Sequence, residues 1–224
     1  MNVMDLWKST GTGPHAGQPV SHVGAPLDKA AAAMILLHGR GGSAPDILSL
    51  AEAFGRSDVA YLAPQAAHNT WWPQRFIQPV AANQPYLDSA LDTVGTLAET
   101  LVAADIPREK IVLLGFSQGA CLALEFAARN PRRWGGVVGL SGGLVGSDDE
   151  FGLRQGSLAA TPVILACSDR DAHIPLLRVR MSAKVFEAMG AAVDCRIYPG
   201  MGHTVSMEEV GLVRDLMKAV TLAA

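Results

Sequence analysis

Apolar residues fall in short unbroken runs at 33–37, 59–62, 111–114, 137–140 and 163–167, with a more mixed run at 195–198. Runs this short are too brief for helices, and without polar alternation they read as strands covered on both faces, as in a parallel sheet. Between them the spacing turns helical. Ile47, Leu50, Ala51 and Phe54 make one stripe, and Leu87, Leu91, Val94, Ala98 and Leu101 a second. Residues 120–129 are apolar almost all round, and Leu177, Met181, Val185 and Met189 mark a further stripe. Punctuation agrees: Ser43 with Asp46 and Ser206 with Glu209 have the spacing of helix starts, while Asn130-Pro131 and Gly190 mark ends. Strand and helix alternate from residue 33 onward with no linker or repeat. This pattern predicts an α/β fold in which residues 31–224 form one doubly wound, mostly parallel sheet with helices on both faces. Residues 1–30, rich in Gly, Pro and His, are expected to be an extension with at most a short edge strand near Val20 to Val23.

Composition narrows the function. A chain of 224 residues, 49% hydrophobic and 17% charged, can bury a large core. Its net charge of −3, with Lys and Arg scattered, leaves no basic footprint for nucleic acid. No stretch approaches the ~20 apolar residues of a membrane span, and the N-terminus lacks a basic region followed by an apolar run, so a cytoplasmic location is expected. Cys121, Cys167 and Cys195 are odd in number and widely spaced, and read as reduced core residues. No Cys/His spacing asks for a metal, and no cofactor is called for. A homodimer is left open.

Chemistry concentrates after the strands, because open parallel sheets bind ligands beyond the carboxyl ends of their strands. The run 111–114 leads into Gly115-Phe116-Ser117-Gln118-Gly119, a G-x-S-x-G turn that would lift the Ser117 hydroxyl clear of the sheet at a helix start. The first turn, Gly39-Arg40-Gly41-Gly42-Ser43-Ala44, also satisfies a dinucleotide fingerprint, yet the strand at 59–62 ends in Ala63-Pro64-Gln65 with no acid for a ribose. In a hydrolase the same glycines would expose a backbone N–H to an oxyanion. The long loop after that strand carries Trp71 and Trp72, which either cap the core or wall an apolar pocket. Of the six histidines, His203 lies between glycines after the last strand and follows Ser117 in the order serine, acid, histidine, which makes it the candidate base. His38 reads as structural. The acid is Asp171 or Asp169; placement nearer the end of the turn favours Asp171, with Asp169 left to cap or brace the loop.

Taken together, Leu37-His38-Gly39-Arg40-Gly41-Gly42, Trp71-Trp72, the Ser117 turn, Asp171-Ala172-His173-Ile174-Pro175 and Tyr198-Pro199-Gly200-Met201-Gly202-His203 resemble the phospholipase/carboxylesterase family of small α/β hydrolases, which includes the acyl-protein thioesterases. The resemblance covers about residues 33–220. It implies the α/β-hydrolase fold without a large lid domain, with Ser117 as nucleophile, Asp171 as acid and His203 as base. It also implies an oxyanion hole from the N–H groups of Arg40 and Gln118, and a pocket walled by Trp71, Trp72 and Leu144. Two positions depart from the family pattern: Arg40 stands where relatives often have Leu, and Ala172 where they have Pro. The expected substrate is a small-molecule ester of short to medium chain, cleaved through an acyl-enzyme. A thioesterase or lysophospholipase is the alternative within the family, and a ligand-binding protein without catalysis the alternative outside enzymes.

Overall fold

The computed structural model describes residues 4–8, 11–152 and 154–222. The strands are β1 Met4–Lys8, β2 Pro19–Gly24, β3 Ala32–Leu37, β4 Val59–Pro64, β5 Ile111–Phe116, β6 Gly136–Leu140, β7 Pro162–Ser168 and β8 Ala192–Tyr198. They form one sheet in the order β1-β2-β4-β3-β5-β6-β7-β8. From β4 through β8 every neighbour is parallel; β1 and β2 join antiparallel.

The unbroken apolar runs are explained by a core on each side. Along β3, Ala33, Ile35 and Leu37 enter one core, packed with helices α3 Tyr86–Ala103, α4 Gln118–Arg129 and α5 Leu176–Ala188. Ala32, Met34 and Leu36 enter the other, with α1 Ala44–Leu48, α2 Leu50–Phe54 and α6 Met207–Leu222. Period-two alternation therefore exists in space but not in hydropathy. Both helix-start signals are realised. Ser43 Oγ accepts from the N–H of Asp46, and Ser206 and Glu209 exchange reciprocal bonds of 2.6 and 3.2 Å.

Three expectations are corrected. The strand near Val20 is no edge, because β1 pairs outside it, a contact between two chain segments that local pattern does not encode. Cys195 lies exposed on β8, the outermost strand at the opposite side of the sheet, not in the core. The α5 stripe is also rotated: Leu177 is 69% exposed, whereas Arg178, Val179, Ser182, Ala183, Val185 and Phe186 face inward. Arg178 can take a core position because its guanidinium donates to the carbonyls of Leu144 and Gly146 and to Asp148, so the charge is buried with partners. Asp148 is itself solvent-exposed, so only the Arg178 side of this ion pair is buried.

Among the described residues no inserted domain covers the strand ends. The two long connections, after β4 and after β6, carry only short turns and two 3-10 segments, Ala67–Asn69 and Val80–Asn83. The carboxyl ends of β3, β5, β7 and β8 consequently open toward one another.

Candidate active site

β5 passes into α4 through a single residue, Ser117, held at φ 56° and ψ −119°. That conformation costs an L-residue about 1–3 kcal/mol. Close packing enforces it. A Cβ on Gly115 would meet the carbonyl oxygen of Gly119 at 2.1 Å, and one on Gly119 would meet that of Leu37 at 2.0 Å. The Ser117 N–H donates to Leu140 on β6 at 2.9 Å, and its carbonyl accepts the first α4 bond from Cys121.

The loops after β7 and β8 bring Asp171 and His203 to this serine. His203 Nε2 lies 2.9 Å from Ser117 Oγ, and His203 Nδ1 lies 2.7 Å from Asp171 Oδ2. The other Asp171 oxygen accepts the backbone N–H groups of His173 at 2.8 Å and Ile174 at 3.0 Å. Burial works against the Asp171 charge, yet the bond from His203 and those two N–H groups outweigh it, and the carboxyl sits below the usual carboxylate range. Nearby, burial and the Asp171 charge push the Cys167 thiol up to about 12, so its S–H faces Asp171 as a donor.

The two aspartates take different places, Asp171 against His203 and Asp169 against the next loop. Asp169 braces the histidine loop, accepting the Gly200 N–H at 2.7 Å. Ser168 Oγ accepts the N–H of Gly202 at 3.0 Å. His38, 1% exposed, is structural: Nδ1 donates to Gly39 O at 2.8 Å and Nε2 accepts the Ala66 N–H at 3.1 Å. Burial lowers its pKa, so the imidazole stays neutral and shapes the Gly39-Arg40 turn.

Arg40 and Gln118 sit beside Ser117 on β3's turn and at the first position of α4, where N–H groups lack intrahelical acceptors. Their side chains have a second role that sequence reasoning missed. Arg40 donates to Pro73 O at 2.9 Å and to Gln74 O at 2.7 Å. Gln118 accepts from Thr70 Oγ at 3.1 Å and the Trp71 N–H at 2.9 Å, and donates to Trp72 O at 2.8 Å. Both therefore clamp the backbone of the tryptophan loop. The local hint is that each is a long polar residue set among the small residues of a glycine turn.

A cleft of about 270 Å³ opens over Ser117, lined by Arg40, Trp72, Arg75, Phe76, Gln118, Cys121, His173, Ile174 and His203. Of the three residues expected as wall, only Trp72 takes part. Trp71 and Trp72 are both fully buried in one core, but Trp71 lies away from the cleft, its indole N–H donating to His38 O at 2.9 Å and its ring 5.3 Å from His15. Leu144 is fully buried too, its N–H bound to Ser182 Oγ. Arg75, Phe76 and Ile174 were not anticipated as wall, and nothing but their nearness to Trp72 and Asp171 marks them in the sequence. His173 packs edge-on against His203 at 4.8 Å.

Comparison with known proteins identifies the fold and the family. A family model described as Phospholipase/Carboxylesterase matches residues 18–221. Acyl-protein thioesterase 1 of Gibberella zeae is 32% identical over 124 residues, 54% of this chain and 53% of that protein, so the chain spans about half the length of that relative. A probable carboxylesterase of Oryza sativa is 26% identical over 92% of this chain and 85% of its own. The crystal structure of a phospholipase/carboxylesterase from Dyadobacter fermentans matches with a TM-score of 0.85 and 42% identity, covering 90% of this chain and 96% of that one. The chain has the α/β-hydrolase fold and belongs to the phospholipase/carboxylesterase family.

Proposed function

We propose that the protein is a serine carboxylesterase in which Ser117 is the nucleophile, His203 the general base and Asp171 the acid that orients it. The observation that carries this reading is the unbroken hydrogen-bonded line from Ser117 Oγ through both nitrogens of His203 to Asp171. Ser117 attacks the ester carbonyl as its proton passes to His203 Nε2. The carbonyl oxygen becomes an oxyanion, received by the N–H groups of Arg40 and Gln118; loss of one such donor costs roughly 3 kcal/mol. His203 then gives the proton to the departing alcohol. Water attacks the acyl-enzyme, His203 takes its proton, and the serine hydroxyl is restored as the acid leaves. Asp171 keeps its charge throughout, holding the Nδ1–H tautomer and stabilising the imidazolium.

The cleft supports a short to medium acyl chain, since about 270 Å³ lies at the lower edge of ligand-pocket sizes. A second reading, thioester cleavage, draws on relatives named acyl-protein thioesterase 1. Activity on ethyl and p-nitrophenyl esters from acetyl to palmitoyl, with an acyl thioester of each length beside them, separates the two. Ser117→Ala is expected to fold, to lose labelling by a fluorophosphonate and to lose about 10⁶ in turnover. Wild-type hydrolysis by that variant would end the assignment.

A further inference from the structure

Two guanidinium groups stand in the wall of the Ser117 cleft, beside the exposed imidazole of His173. They belong to Arg40 and Arg75, and among the described residues neither guanidinium has a carboxylate within ion-pair distance. Arg40 is bonded to two carbonyls. Arg75 makes one long contact of 3.4 Å with His173 O, which leaves most of its fork open. Trp72, also in the wall, carries a buried indole N–H with no acceptor. The carboxylate and amide oxygens nearby are engaged: the Gln118 carbonyl is taken by Thr70 and Trp71, and the Asp171 side chain is wholly buried behind His203. Partial desolvation lowers the Arg40 pKa, as for a cation withdrawn from water without a counter-ion. The two cations stand in a chain whose net charge is −3.

Resting on the esterase reading above, we infer that the preferred substrates are short esters carrying an anionic carboxylate on the part that enters this cleft. Trp72, Phe76 and Ile174 cover the methylenes, and Arg75, backed by Arg40, receives the carboxylate. Arg75 is then the specificity-determining residue, because a planar guanidinium can hold a carboxylate with two parallel bonds. This separates the protein from an esterase selecting purely by chain length, for which a charged terminus would be a penalty.

The test uses three esters of matched length: monoethyl adipate (anionic), ethyl hexanoate (neutral) and ethyl 6-aminohexanoate (cationic). In the wild type, kcat/KM is expected to rank anionic, neutral, cationic, with about a tenfold advantage for the first over the second, as befits one charge-assisted contact near the surface. The advantage should shrink in Arg75→Gln, invert in Arg75→Glu and weaken as salt is raised from 50 to 500 mM. Binding of the same esters to Ser117→Ala, measured by calorimetry, reads the cleft without turnover. Equal or weaker binding of the anionic ester, or a ranking that Arg75→Glu does not move, overturns the inference. No hydrolysis of any ester by the wild type overturns the esterase reading and the substrate preference with it, whereas hydrolysis of all three without anion preference overturns the inference alone.

Discussion

Replacing Asp171 with Asn separates charge from shape at the most constrained side chain of the site. Asparagine keeps an oxygen for the N–H groups of His173 and Ile174 but turns an amide toward His203, which forces the wrong tautomer. Turnover is expected to fall about 10⁴-fold; a loss under tenfold in steady-state assays would remove Asp171 from the mechanism. Gln118 tests the clamp. With the residue 6% exposed, Gln118→Ala strands the Trp71 N–H and leaves the Trp72 carbonyl to Thr70 Oγ alone, at a cost of about 1–3 kcal/mol by urea unfolding. Gln118→Glu should not restore this, since a carboxylate cannot donate to Trp72 O. At this scale the sequence exposed what local chain geometry makes: Ser117 from its glycines, His203 from its loop, and Asp171 only as the favoured one of two aspartates. It hid the clamping roles of Arg40 and Gln118 and the separate fates of Trp71 and Trp72, since these depend on which segments meet across the strand ends.

Between elements, contact distance decides tolerance. Gly119→Ala would drive a methyl into the backbone of β3, 2.0 Å from Leu37 O, so α4 and β3 must part; little folded protein is expected by circular dichroism or size exclusion. Gly211, in α6, has nothing within 4 Å of an added Cβ, and Gly211→Ala should stabilise by up to ~1 kcal/mol through helix propensity alone. Opposite signs for one chemical change are the measurable consequence. The long connection after β6 is tied down by charge: Glu125, fully buried on α4, accepts from Arg129, Arg154 and the Val145 N–H. Glu125→Ala leaves buried partners uncompensated and should cost about 3–5 kcal/mol in urea unfolding. Helix starts, stops and most strands were legible because each is set by a few adjacent residues. The inward face of α5 was not, because Arg178 reads as a solvent-facing residue until the carbonyls that receive it are in place.

For the whole molecule, pH is the most informative variable. Burial lowers the pKa of His15, His22 and His38 below the ordinary 6.5, and His15 and His38 each use one ring nitrogen to accept a backbone N–H. The unfolded chain therefore binds protons first as pH falls through 6.5, and stability declines from there downward. The depressed Asp171 carboxyl adds a further loss at more acid pH, as it becomes protonated. Urea midpoints should hold from pH 8 to about pH 7 and fall from there to pH 5, and a flat profile throughout would show that these imidazoles remain solvated. His15 also ties residues 11–18 to the tryptophan loop, through Trp71 O at 2.9 Å and the Ala67 N–H, and the same segment anchors to α3 through Thr12, Ser89 and Asp92. A segment without periodicity thus buttresses the loop beside the site. By itself the sequence determined the alternation of strand and helix, the serine turn and the order of its partners, since hydropathy runs, glycines and caps act over a few residues. Only the tertiary structure decided the outer two strands, the tryptophan that faces the cleft and the cationic wall around it, because those arise where distant segments exclude water together.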